Sequence, residues 1–158
     1  MPEQPLTPSD PSFGAALSRE RITQALTRGA ARMMTELGFA SLTEFTLRSG
    51  RRADLIGLDP KGKIAIVEVK SSLEDYRSDN KWPDYLDYCD HFYFAVPEFF
   101  PLEVLPVDMG LLVADPFGAA VLRDAPLLRL NAARRRSILL KFAHTAARRL
   151  GAAASSEL

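Results

Sequence analysis

Between Arg19 and Leu37 the apolar residues Ile22, Leu26, Met33 and Leu37 fall near one stripe of a helical wheel, with Arg21, Arg28 and Arg32 off it. That period predicts a helix stopped by Gly38. Three runs of strand character follow, Leu42 to Arg48, Arg52 to Leu58 and Lys63 to Lys70, divided by Ser49-Gly50 and by Asp59-Pro60-Lys61-Gly62. They predict a meander. Ile64, Ala65, Ile66 and Val67 are apolar without alternation, so the third strand needs cover on both faces. Next come a helix beginning near Ser72, a Pro-interrupted aromatic helical stretch from Trp82 to Cys89, and a strand from His91 to Val96. Leu111 to Ala114 and Ala119 to Leu122 predict a hairpin around Asp115-Pro116-Phe117-Gly118, and Asn131 to Leu150 an amphipathic helix. Its expected inner face is Ile138, Leu139, Phe142, Ala143, Ala146 and Leu150. Met1 to Ser18 and residues 151–158 lack an apolar period and are expected to be tails, leaving one domain over residues 19–150. The expected fold class is α/β, a central mixed β-sheet flanked by helices on both faces.

Length agrees with a single domain, since about 130 ordered residues bury enough apolar surface without disulfides or structural metal. Cys89 stands alone and no Cys/His zinc spacing occurs, so a reducing, cytoplasmic setting is expected. No apolar run approaches the roughly 20 residues of a membrane span. The formal net charge is zero, yet the charge is segregated: acids dominate from Glu68 to Asp108, and basic residues dominate from Arg123 onward.

Candidate chemistry lies in the hairpin. Pro60 suits a type I turn and Gly62 a left-handed closing position, which pairs Asp59 with Lys63. Counting back places Leu58 opposite Ile64, Ile56 opposite Ile66 and Asp54 opposite Glu68, with the two carboxylates roughly 5 Å apart. A two-residue loop would instead make them diagonal neighbours, which one ion still bridges. Lys70 lies two residues beyond Glu68 and points to the same face. Two like charges on an apolar sheet face repel unless a cation lies between them, and oxygen ligands suit Mg²⁺ or Mn²⁺. Such an ion polarises a phosphodiester and activates water, while Lys70 orients that water and offsets developing charge. The blander reading is an acidic and basic cluster at a solvent-facing sheet edge.

Ala53-Asp54-Leu55 and Val67-Glu68-Val69-Lys70 on adjacent strands resemble the PD-(D/E)XK nuclease superfamily. The longer strings Gly50-Arg51-Arg52-Ala53-Asp54, Glu68-Val69-Lys70-Ser71-Ser72, Asp79-Asn80-Lys81-Trp82-Pro83-Asp84-Tyr85 and Gly110-Leu111-Leu112-Val113-Ala114-Asp115 resemble the MmcB-type bacterial DNA-repair proteins, from about Ala30 to Leu150. The resemblance implies a restriction-endonuclease-like core, an endonuclease role in DNA repair, and metal binding by Asp54, Glu68 and the backbone carbonyl of Val69. The superfamily often adds an acid from the first helix, but Gly29-Ala30-Ala31 has none, so Glu44 on the first strand is the candidate for a further catalytic carboxylate.

Several basic residues are candidates for nucleic-acid contact. Arg51 and Arg52 flank the first hairpin turn, Lys81 and Tyr85 have helical spacing after the Glu68 strand, and Arg134, Arg135 and Arg136 open a basic ridge on the last helix. Each has a plain alternative: a solvated turn, a surface Lys over an aromatic ring, a charged outer helix face. His91, His144 and Cys89 read as structural. The expected function is a Mg²⁺- or Mn²⁺-dependent DNA endonuclease in repair, acting on branched or damaged DNA. A catalytically silent nuclease-fold module that binds nucleic acid or a repair partner is the alternative, and an RNA-processing nuclease would use the same site. A homodimer is left open, and no membrane association is expected.

Overall fold

The computed structural model describes residues 11–157. The first helix, α1, spans Pro11–Glu36. Gly38, at φ +89°, ends it: Gly38 N–H donates to Thr35 O and Phe39 N–H to Met34 O, a pairing that satisfies the last carbonyls. The expected tail is therefore corrected over residues 11–18, which are helical, while the remainder of that tail lies outside the described residues. A helix once nucleated extends at little cost even where no apolar stripe marks it. The last helix, α3, likewise runs over Ala132–Ser156, past the expected end at Leu150, through Ala152, Ala153 and Ala154.

Between them lie β1 (Ala40–Thr46), β2 (Arg52–Leu58), β3 (Ile64–Val69), α2 (Leu73–Ser78), a 3-10 turn at Trp82–Tyr88, β4 (His91–Val96), β5 (Gly110–Asp115) and β6 (Gly118–Arg123). The six strands form one sheet in sequence order. β1, β2 and β3 are antiparallel, β3, β4 and β5 are parallel, and β6 returns antiparallel. The sheet is mixed, as expected. The Asp59 to Lys63 loop closes as its residues dictate: Asp59 Oδ1 accepts from Lys61 N–H at 2.9 Å and Lys63 N–H at 2.8 Å, and Gly62 takes φ +88°. Leu58 pairs with Ile64 and Ile56 with Ile66, the register the turn predicts.

Every residue of β3 is buried, because helices cover both faces. On one face Leu26, Ala30, Met33 and Met34 of α1 pack on Leu55, Ala65, Val67 and Val69. On the other, Ile138 and Phe142 of α3 join Phe45, Ile56, Ile66, Phe92 and Phe94. Ala143 and Leu150, expected on the inner face of α3, are exposed, and Thr145 is buried instead. Among the described residues no helix is long and apolar enough to cross a membrane.

One ion pair ties α3 to the sheet. Arg135 forks onto both oxygens of buried Asp90 at 2.6 Å and also donates to Gly62 O, while Asp90 Oδ2 accepts from Ile64 N–H at 2.8 Å. Burial alone would raise the Asp90 carboxyl, but the Arg135 and Ile64 bonds outweigh it and hold it below the ordinary carboxylate value. A depressed carboxyl contributes stability that is complete above the ordinary range and lost as pH falls through the folded value. Asp90→Asn should therefore lower stability at pH 7 and flatten the native acid-side decline below about pH 4, measured by urea unfolding across pH. Arg135→Met, which strands a buried carboxylate, should cost about 3 kcal/mol. Parallel pH profiles in native and Asp90→Asn proteins would contradict this assignment.

Candidate active site

Antiparallel ladders alternate bonded and unbonded pairs. Asp59 N–H donates to Lys63 O, so the bonded pairs are Asp59 with Lys63, Gly57 with Ala65 and Leu55 with Val67, and Ala53 with Val69 would come next. The ladder instead ends at Leu55 and Val67. Val69 N–H is taken by Asp54 Oδ2 at 2.8 Å, so a side-chain carboxylate replaces the missing backbone acceptor. An extended residue sends its N–H and C=O to the same edge of the strand, so the Val69 carbonyl faces the same gap.

Glu68 extends the site from β3. It is buried, and among the described residues its Oε2 has no hydrogen-bond donor. Burial first, then contact with the Asp54 carboxylate, push the Glu68 carboxyl up to about 10, and Lys70 offsets this only in part. Two carboxyl groups in contact need a proton or a cation between them. The donor set of Asp54, Glu68 and the Val69 carbonyl is all oxygen, and it fits a single hard divalent ion taking the place of that proton.

Lys70 sits just past β3, with its N–H on Ala95 O at 2.9 Å and its side chain buried. Its Nζ bonds Asp79 Oδ2 at 2.9 Å. Burial would lower the ammonium's pKa, but the Asp79 bond and the nearby Glu68 outweigh it, so Lys70 remains charged. Asp79 is the residue that sequence reasoning passed over. It lies in one of the strings carrying the family resemblance, but sequence spacing gives no sign that the chain returns after α2 to place it on Lys70. Ser72 starts that return by accepting from Asp75 N–H at 3.1 Å, a helix N-cap.

Glu44 occupies the register position opposite Asp54, between the pairs Thr43 with Leu55 and Phe45 with Ala53. Its φ is +47°, and among the described residues no other non-glycine residue has a positive φ. Thr43, Glu44 and Asp54 line one cleft of about 400 Å³ with Thr23, Gln24, Thr27, Arg28 and Ala31 of α1. Glu44 thus reaches the approach to the site. Among the described residues no three Asp, Glu, His or Cys side chains gather where they could hold a metal ion.

The basic candidates scatter. Arg51 Nε pairs with Asp84 at 3.2 Å, and Arg52, Lys81 and Arg136 are exposed. Tyr85 is corrected: it is buried against Glu68, and its hydroxyl donates to Arg52 O at 2.9 Å, so it does not face an external phosphate. Arg135 is corrected too, since Asp90 and Gly62 hold its guanidinium. Arg134 stacks 4.9 Å from the Tyr88 ring centroid, and Lys141 lies 5.8 Å from that of Phe45. With Arg48 they line a pocket of about 470 Å³ over Leu47 and Ile138 that has no acidic lining residue. Arg48 was not singled out, because only the fold brings the end of β1 beside α3.

The comparisons with known proteins agree with this architecture. A protein of unknown function from Silicibacter pomeroyi, SPO1766, has a solved structure that matches with a TM-score of 0.81 and 46% identity over 85% of this chain and 92% of its own. A repair endonuclease from Pyrococcus abyssi aligns over 60% of this chain and 40% of its own at 20% identity, with a TM-score of 0.31, too distant to carry a structural argument. No curated protein matches the chain. The model of the DNA repair protein MmcB-like family matches residues 11–157, nearly the whole chain, and the protein belongs to that family.

Proposed function

We propose that this protein is a metal-dependent endonuclease acting on DNA in repair, with Asp54, Glu68 and the Val69 carbonyl holding one Mg²⁺ or Mn²⁺. The observation that carries this reading is the contact of the partly exposed Asp54 carboxylate with the buried Glu68, whose carboxyl is raised, beside a charged, buried Lys70. When bound, the cation would supply polarisation of the phosphodiester and an acidified water. The protein's own part is placement. Asp54 is held by Val69 N–H, and the Asp79 bond keeps Lys70 protonated and fixed, ready to orient water and offset phosphoryl charge. A second reading, a catalytically silent nucleic-acid or partner-binding module, is favoured because, among the described residues, no third acid joins Asp54 and Glu68 to form a metal-holding cluster.

Lys70 is no metal ligand, so Lys70→Met should spare Mn²⁺ binding and DNA affinity while slowing cleavage about 10²-fold or more. Because Asp79 loses its partner in that variant, Lys70→Met/Asp79→Asn removes the orphaned charge and should be equally slow. Unimpaired cleavage by both variants rejects the assignment of Lys70. If the native protein cuts none of linear, nicked, flapped and junction DNA, or RNA, with Mg²⁺ or Mn²⁺, the binding-module reading replaces the enzyme.

DNA contact is expected at the acid-free pocket of Arg48, Arg134 and Lys141. Neutralising the three should flatten the slope of log affinity against log salt by about one unit per lost phosphate contact. An unchanged slope would place the DNA path elsewhere.

A further inference from the structure

Near the end of α3, Arg149 reaches back to the edge strand β1. Its guanidinium donates to Thr43 O at 2.7 Å and to Glu44 O at 3.1 Å. Consecutive carbonyls of a regular strand leave on opposite edges, so one guanidinium cannot meet both. The left-handed φ of Glu44 rotates the backbone so that it can. That conformation is costly for a residue with a Cβ and persists only where its surroundings hold it.

The kink changes which way the strands face. Leu42 and Phe45 both pack on the α3 side, while Thr43 and Glu44, adjacent in sequence, both line the α1 cleft. Strict alternation would separate each of these pairs differently. Pairing carries the kink into β2: Ala53 and Ile56 face the α3 side, whereas Asp54 lines the α1 cleft and Leu55 packs under α1. Asp54 sits where β2 leaves β3, and this is where its carboxylate meets Val69 N–H.

We propose that Arg149 is a positioning residue for the candidate site: by clamping the Thr43 and Glu44 carbonyls it holds the left-handed kink that sets Asp54 on the Val69 amide. The importance of that placement for chemistry rests on the nuclease reading, but the placement itself does not. The motif residues Asp54, Glu68 and Lys70 lie 95, 81 and 79 positions before Arg149 along the chain, and nothing in its sequence neighbourhood marks it apart from Arg148.

The test is the Val69 amide in ¹⁵N-labelled full-length protein, read by chemical shift and hydrogen exchange. In the native protein the Val69 resonance should move on Asp54→Asn. Arg149→Ala should move it in the same direction and speed its exchange by about tenfold or more, on the scale expected for a locally opened hydrogen bond. Arg149→Ala/Glu44→Gly should restore it, because glycine adopts positive φ without the clamp. Arg149→Lys, which can give a single donor direction but no fork, should fall between. An unmoved Val69 amide in Arg149→Ala overturns the proposal. A shift that Glu44→Gly fails to restore also overturns it, since Arg149 would then act through helix docking rather than through the kink. If Arg149→Ala does not fold, the lysine variant and Glu44→Gly alone, which should keep a native-like Val69 amide, decide the matter. The amide reports on Asp54 with or without a cation, so a native protein that binds no Mn²⁺ counts against the nuclease reading and not against this one.

Discussion

A backbone N–H that loses its ladder partner must find another acceptor or carry a desolvation cost of about 1–3 kcal/mol, and at the end of β3 that acceptor is the Asp54 carboxylate. The β2–β3 ladder stops at Leu55 and Val67, the strands part, and a charged side chain fills a structural vacancy at the point where a backbone carbonyl turns inward. From this one substitution follow the closeness of Asp54 to Glu68, the exposure of Asp54 to the α1 cleft, and the orientation of Val69. The unbroken parallel ladders of β3 with β4 and β4 with β5 hold this irregular corner.

The electrostatics of the corner form two coupled pairs. Burial and the neighbouring Asp54 carboxylate raise the Glu68 carboxyl, whereas Lys70 and Asp79 are opposite and hold each other ionised. A buried acid that retains its proton to about 10 is an unfavourable resting state for an ordinary structural residue, and a leucine or glutamine would be less costly there. Groups so perturbed cluster at functional sites because function, rather than stability, retains them. Membership of the DNA repair protein MmcB-like family points the same way.

Much of this was legible in the residues, and for identifiable reasons. Strand alternation, the Asp59 to Gly62 turn and the unbroken apolar run of β3 are local signals, so the meander, its register and the two-faced sheet could be read directly. That register also singles out Asp54, Glu68 and Lys70, but it places Asp54 directly opposite Glu68, whereas the ladder ends one pair earlier, at Leu55 and Val67. Asp79, Arg48 and Arg149 did not, because each acts through a contact made only when distant segments fold together. Arg135 and Tyr85 were misread for the converse reason: a basic run and an aromatic at helical spacing look solvent-facing until Asp90 and Arg52 O are found to hold them. The left-handed Glu44 was invisible too, since no sequence rule places a glutamate at positive φ; only the Arg149 fork accounts for it.

The central claim is that the Asp54 and Glu68 pair is a seat for one divalent cation. Calorimetric titration with Mn²⁺ tests it most directly. One ion per chain is expected for the native protein, lost in Asp54→Asn and in Glu68→Gln, the latter with its fold intact because glutamine mimics the protonated acid. Native-like Mn²⁺ binding by both variants, or none by the native protein, would contradict it.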